Sequence, residues 1–360
     1  MLPGDRLHLM FRSRRSLIVR QLWKRRYTAP GSRGQGDGTP SSTADLHNVL
    51  RPAVYQLFKK LKDEQLWQLL EALDSRGYWD CGCILLPWEV HGSKQVLPPQ
   101  VLLCRLYRWP DLHSTSELKS LTQCENFWRR SGEGSHVCCN PHHVCRVAAP
   151  EVSASSTYKR REAPRPAHAE QESGHYYVQR SHDTTLSGGS IHDAYWCKLA
   201  YWEHRTRVGR LYSVTEPSVH VFHDLPKASG FCLGLLGSEP RSQTVRRTRK
   251  KIGQGLVLSH EDGEVWAYNH SEHPIFINSP TLAAVTSCGQ AVHKVLSGYA
   301  IKVFDAEKVA KLSGCSSMGD GPSDPHSVRI SFAKGWGTCY SRQLITSCPC
   351  WLEILLSTPK

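Results

Sequence analysis

The sequence predicts an α+β protein of two domains, a helix-led N-terminal unit followed by a β-sandwich. Three observations carry this reading. Val54, Leu57, Phe58, Leu61, Leu66, Leu69, Leu70 and Leu73 recur near helical spacing and make one apolar stripe. From Trp196 onward, aromatic and β-branched residues alternate in short runs separated by turn residues. Between these regions, residues 148–194 are rich in Ser, Arg, Pro, His and Gly and poor in aliphatics, which is the composition of a linker. A chain of 360 residues is long enough to bury a core in each domain.

Residues 1–46 are basic, then Gly/Ser/Pro-rich. They are expected to be a disordered arm with a short helix around RRSLIVRQLWKRR. The N-terminal domain is expected over 47–147. Its opening helix should run from about Pro52 to Arg76, with Pro52 in the first turn and Gly77 as the C-terminal cap. Lys59, Lys60, Lys62, Asp63 and Glu64 fall largely on its polar side. A second helix is expected over Ser114–Arg129, followed by short irregular segments rich in Cys and His. In the C-terminal domain, 195–360, WCKLAYWEHRTRVGRLYSV and SVHVFHDLP read as strands, and VWAYNHSEHPIFINS as a hairpin with a polar turn. YAIKVFD is a further strand, AEKVAKLSG a short helix, and VRISFA and WLEILL the last strands.

The formal charge is +13 with His neutral, and it is unevenly spread. Residues 1–40 carry nine Lys/Arg against two Asp/Glu, and 241–251 (RSQTVRRTRKK) carry six basic groups and no acid. These two segments account for the whole excess, which argues against a uniformly basic nucleic-acid coat. The basic arm fits a solvated tail, nuclear import, contact with an anionic surface, or a transit peptide. No apolar run approaches the ~20 residues of a membrane helix, and the apolar stretch at the N-terminus is too short for a secretory signal. The 14 Cys are therefore expected to be reduced, as metal ligands or buried thiols. The sequence holds no P-loop, no G-x-S-x-G, no H-E-x-x-H and no kinase loop set, and Gly253-Gln254-Gly255 lacks the third glycine of a phosphate cradle. No enzyme activity is expected.

The N-terminal domain concentrates Cys81, Cys83, Cys104, Cys124, Cys138, Cys139 and Cys145, with His142 and His143. In VCCNPHHVC the Asn140-Pro141 turn lets a Cys before it and a His after it converge on one ion. Cys83, Cys124, Cys138 and His143 are the four candidate ligands, since zinc takes four such donors in a tetrahedron. A group of buried thiols is the other reading, because free Cys packs well as a small hydrophobe.

The runs around this cluster are more particular. VLLCRLYRWPDLHSTSELKSLTQCENF followed by VCCNPHHV resembles the N-terminal Mad homology domain of the Smad proteins. The resemblance implies the same four ligands for one structural Zn2+: Cys83 in CILLP, Cys124 after the WPDLH stretch, and Cys138 and His143 around the Asn-Pro turn. FCLGLLG, VRRTRKKIGQG, HPIFINSPTL and VRISFAKGWGTCYSRQLITSCPCWLEILL resemble the C-terminal Mad homology domain, a β-sandwich with helices and loops at its ends. Receptor-activated Smads bind DNA through a basic hairpin, which here would lie in WEVHGSKQVLPPQVLL. That interval offers one Lys, no Arg and two consecutive Pro, so specific DNA binding is not expected.

Within the family, MFRSRRSLIVRQLWKRR, VCCNPHHV and CYSRQ…SCPCWLE resemble the inhibitory Smads, and WLEILLSTPK lacks the Ser-x-Ser tail of receptor-activated members. The implied function is inhibition of TGF-β/BMP-superfamily signalling in nucleus and cytoplasm. Its implied partners are activated type I receptor serine/threonine kinases and other Smads. A nuclear co-repressor acting with DNA-bound factors is the alternative. The linker has no Pro-Pro-x-Tyr motif, so ubiquitin-ligase recruitment is not expected. In a helix, Arg247 and Lys251 share a face, while Arg246, Arg249 and Lys250 project elsewhere. The loop Phe332 to Arg342 has Gly335 and Gly337 on either side of Trp336, which suits an exposed turn presenting an aromatic, with Lys334 and Arg342 at its rims. The resemblance makes Arg247, Lys251, Lys334, Trp336 and Arg342 a receptor-reading groove.

Overall fold

The structure is a computed structural model. It describes residues 3–28, 42–77, 81–87, 97–127, 136–148, 195–225, 229–237, 240–282, 291–313 and 324–357. The linker read over 148–194 lies outside the described residues except for Ala148, as does most of the hairpin interval, 88–96.

The N-terminal part orders α1 (Pro3–Lys24), α2 (Ser42–Lys60), α3 (Asp63–Ser75), β1 (Leu85–Pro87), α4 (Pro99–Tyr107), β2 (Leu118–Ser120), β3 (His136–Cys138) and β4 (Val144–Val147). The single helix expected over 52–76 is two helices. The first begins at Ser42, with Pro52 inside it, and the chain breaks at Leu61-Lys62. Lys62 takes an extended conformation, and its N–H donates to the Gln65 side chain at 2.8 Å, which starts the second helix. Arg15 bridges the break. Its guanidinium donates to the Phe58 and Leu61 carbonyls, each at 2.8 Å, and pairs with Asp63. One cation thus satisfies carbonyls left open at the end of α2 and contacts the acid opening α3.

The short helix expected around RRSLIVRQLWKRR is present as part of α1, which starts further back in the arm, at Pro3. Ile18 and Leu22 are buried among Leu50, Val54, Phe58, Leu66 and Leu69. Arg25 pairs with Asp74 through two hydrogen bonds of 2.6 and 2.9 Å, so ion pairs tie α1 to both ends of α3. The helix expected over 114–129 is absent from its described part. A single 3-10 turn covers Thr115–Glu117 and leads into β2. The helix stands instead at PQVLLCRLY, where Pro99 occupies the first turn. α4 is buried on nearly every side, with Leu103 and Leu106 in one cluster and Val101 and Cys104 in another, so it lacks the polar face that marks a helix in sequence.

The C-terminal part orders β5 (Cys197–Glu203), β6 (Thr206–Arg207), β7 (Tyr212–Val214), β8 (Ser218–Phe222), β9 (Phe231–Cys232), α5 (Gln243–Ile252), β10 (Leu256–Glu261), β11 (Glu264–Asn269), β12 (Ile275–Asn278), β13 (His293–Val295), β14 (Tyr299–Asp305), α6 (Ala306–Ser313), β15 (Ser327–Phe332) and β16 (Trp351–Leu356). Two sheets pack face to face. One has the order β2-β4-β14-β11-β10-β8-β9, and the other β13-β12-β15-β16-β5-β6, with β7 also on β5. Their inner faces close on Leu199, Val221, Leu258, Ala267, Ile277, Val303, Ile330 and Leu352.

β11 and β12 belong to different sheets, so the hairpin expected at VWAYNHSEHPIFINS is a corner between them. The true hairpin is β10–β11. Asp262 and Gly263 have φ of 48° and 79°, the two left-handed positions of a type I′ turn.

The first sheet is continued by strands from the N-terminal part. β4 lies parallel to β14, pairing Arg146 with Tyr299 and Val147 with Ala300, and β2 adds outside it. The Arg146 and Ala148 amides donate to the Gly298 and Ala300 carbonyls at 3.2 and 2.8 Å. Lys119 on β2 pairs with Glu261 on β10, and Arg76 with Glu272.

Candidate functional site

β1 and β3 pair antiparallel with Leu85 opposite Cys138, which brings Cys83, just ahead of β1, beside the end of β3. Cys124 sits in a turn after β2, where its N–H donates to the Leu121 carbonyl at 2.9 Å. The Asn140-Pro141 turn then returns the chain, and His143 stands immediately before β4. The donor atoms of Cys83, Cys124, Cys138 and His143 all lie within 4.8 Å of one another. Cys83 Sγ is 4.0 Å from Cys124 Sγ and 3.5 Å from His143 Nδ1, and Cys138 Sγ is 3.6 Å from that nitrogen. Tetrahedral zinc with ~2.3 Å bonds to sulfur would hold two sulfurs ~3.8 Å apart. These four residues could hold one metal ion.

The surroundings fit that use. His143 Nε2 donates to the Cys81 carbonyl at 2.5 Å, which leaves Nδ1 with its lone pair facing the sulfurs. The turn is locked by Asn140, whose Oδ1 accepts from the His142 N–H at 3.0 Å and whose carbonyl accepts from the His143 N–H at 3.1 Å. The adjacent Cys138 thiol lowers Cys124 against the opposing effect of burial, and His143 assists; Cys138 is raised in turn. Of the two, Cys124 gives up its proton more readily. By contrast, burial pushes Cys104, Cys139 and Cys145 up to about 12, so these remain packed thiols.

The second feature is the basic strip. α5 is capped by Ser242, whose Oγ accepts from the Val245 N–H at 3.3 Å. It packs through Val245, Thr248, Arg249 and Ile252, at helical spacing. Arg246, Arg247 and Lys250 are left exposed, and Lys251 half-buried.

Two of the six cations face inward. Arg249 and Arg241 both donate to the buried carboxylate of Glu203, at 2.8 to 2.9 Å, and Arg249 also reaches the Leu233 carbonyl at 2.7 Å. Sequence reasoning missed Glu203. Its parity on β5, in step with Cys197, Leu199 and Tyr201, would have marked it as facing the core.

Trp336 corrects the expectation of a presented aromatic. It is buried, against Phe276, Cys348 and Trp351. The flanking glycines serve the loop's own packing: a Cβ on Gly335 would lie 2.5 Å from the Tyr340 ring, and Gly337 takes φ 94°. Lys334 and Arg342 remain half-buried at the loop's rims. The Cys348 thiol donates to the Lys334 carbonyl, and the Cys350 thiol to the Val245 carbonyl on α5. Loop and helix are thus anchored on one short segment, Cys348-Pro349-Cys350. Among the described residues, Arg247, Lys251, Lys334 and Arg342 form no ion pair.

A helical unit with a four-residue Cys/His cluster, joined to a sandwich bearing cations unpaired among the described residues, matches known architecture. Residues 50–148 match the MH1 domain and residues 194–357 the MH2 domain, so this is a two-domain MH1–MH2 protein. The chain belongs to the Smad family, in its inhibitory branch. It is 49% identical to Mothers against decapentaplegic homolog 6 of Gallus gallus, over 87% of this chain and 76% of that one. It is 36% identical to Mothers against decapentaplegic homolog 7 of Homo sapiens, over 97% of this chain and 100% of that one. The interferon regulatory factor 9 IAD domain aligns to 44% of this chain and 81% of its own, at 12% identity and a TM-score of 0.31, which carries no argument.

Proposed function

We propose that this inhibitory Smad restrains TGF-β/BMP signalling by docking on activated type I receptor kinases and competing there with other Smads. The observation that carries this is the set Arg247, Lys251, Lys334 and Arg342, unpaired among the described residues and anchored on the same Cys348–Cys350 segment. Arg forks pair phosphate bidentately, and phosphorylated receptor segments are rich in such acceptors. Trp336 supports the loop from beneath, so its part is to position these cations. Action at receptors and on Smad partners implies residence in cytoplasm and nucleus.

The Cys/His cluster holds one Zn2+ through Cys83, Cys124, Cys138 and His143. Four protein donors leave no open position, so the ion's part is structural, and its binding adds directly to the domain's folding energy. Reversing the four cations to Glu should abolish capture by phosphorylated receptor while circular dichroism and the thermal transition stay native. Unchanged capture by the folded quadruple variant would overturn the receptor reading. The co-repressor alternative predicts retained repression on a DNA-tethered reporter in that same variant.

A further inference from the structure

We infer that the metal centre controls whether the N-terminal domain stays joined to the C-terminal sheet, and that Arg108 is the positioning residue linking them. This rests on the reading of the cluster as a metal site. β4 begins one residue after His143, so the ligand turn fixes where the strand that reaches β14 starts. The Arg108 guanidinium holds that turn from both sides. Its Nη1 donates to the Pro141 carbonyl at 2.8 Å and to the Val144 carbonyl at 2.6 Å, the residues that bracket His143.

The same guanidinium reaches across the seam. Nη2 lies 3.3 Å from the Tyr268 hydroxyl on β11, and the group stacks over Trp109 at 4.1 Å. Trp109 in turn meets the Tyr299 ring edge-on at the head of β14. The C-terminal sheet is shaped to admit this. Gly298 takes a left-handed φ of 82°, and a Cβ there would lie 2.6 Å from Arg108 Nη2 and 3.3 Å from Trp109, so glycine suits the position. The Gly298 carbonyl then accepts from the Arg146 amide on β4.

Ligation of Cys138 and His143 to one ion closes the turn between β3 and β4. Loss of the ion frees the Pro141 and Val144 carbonyls from the arrangement Arg108 clamps, and β4 leaves β14.

The test uses the full chain and amide hydrogen exchange by NMR. The amides of Arg146 and Ala148 report the seam, and those of Leu66, Leu69 and Leu70 in α3 report the N-terminal core. Metal content is measured alongside, with Zn2+ as the probe. Stripping the ion with a chelator should raise exchange at 146 and 148 about tenfold or more, within the range of coupled sites, with α3 still protected. Arg108→Ala should open the seam to a similar degree while Zn2+ stays near one per chain. Unchanged seam exchange in either case overturns the coupling. An equal rise in α3 also overturns it, since the ion would then act only on whole-domain stability. A wild-type chain that binds no Zn2+ overturns the metal reading and the coupling with it.

Discussion

Glu203 shows how a single residue changes the meaning of a charge run. Two of the six cations in 241–251 converge on its carboxylate beneath the surface, with Tyr201 alongside. The pair Arg249–Glu203 is 8% exposed on both sides. Removing one member of such a group leaves the others desolvated and uncompensated, which costs far more than an exposed pair is worth. Glu203→Ala should therefore destabilise the C-terminal domain by about 3–5 kcal/mol, read from the denaturant midpoint at constant m. Arg247→Ala, at an exposed position without an ion pair among the described residues, should change stability by less than about 0.5 kcal/mol. Equal losses in the two variants would contradict the division of the strip into buried and displayed cations.

At the scale of elements, turn chemistry decides more than hydrophobic pattern. Gly253-Gln254-Gly255 is a tight turn. It turns the chain from α5 into β10, with φ of 51° and 66° at its glycines, and a Cβ at Gly255 would lie 1.8 Å from the Val221 carbonyl. Gly255→Ala combines a backbone clash with a left-handed φ, so a loss of about 1–3 kcal/mol or more is expected in thermal unfolding. A variant of native stability would refute this account of the turn. The same logic explains what was legible in the sequence. The strands β14, β15 and β16 are short, largely apolar runs and stand where the pattern put them. The candidate donors Cys138 and His143 converge because the Asn140-Pro141 turn between them is local and strong, whereas Cys83 arrives through the β1–β3 pairing and Cys124 through the turn after β2. The rest was hidden for physical reasons. α4 is buried on nearly every side, so its period carries little contrast. The break at Leu61-Lys62 preserves the apolar stripe across two helices, and Arg15, far away in sequence, satisfies the carbonyls it leaves open. Asp262-Gly263 is the two-residue hairpin signal, and the longer polar stretch at 269–273 masks it. Trp336 is covered by contacts no local pattern encodes.

At the scale of the whole molecule, the two domains share one sheet, and the seam collects cationic and imidazole groups. His270 packs against Tyr268 and stacks with His220. Burial first, then the nearby His220 and Arg108, hold it well below the ordinary imidazole range, at about 3, while a hydrogen bond to the Arg76 backbone opposes them. His220 is also lowered by burial, partly offset by its bond to the Gln254 carbonyl. Such groups are neutral in the folded chain and charge more readily once released. The unfolded chain therefore binds more protons below pH ~6.5, and stability falls as pH drops from there toward 3. Each uncompensated proton contributes a slope of about 1.4 kcal/mol per pH unit. The carboxylates of Asp111, Glu117 and Asp305 are lowered, so their stabilisation is lost only in more acidic solution, below their ordinary range. Between pH 7.5 and 5.5 the imidazoles act in a separate window. His270→Gln keeps a hydrogen-bonding side chain there and cannot take the proton. Denaturant unfolding across that window should show a steeper loss of stability in the wild-type chain than in this variant. Identical slopes would mean that His270 is not held neutral by the fold.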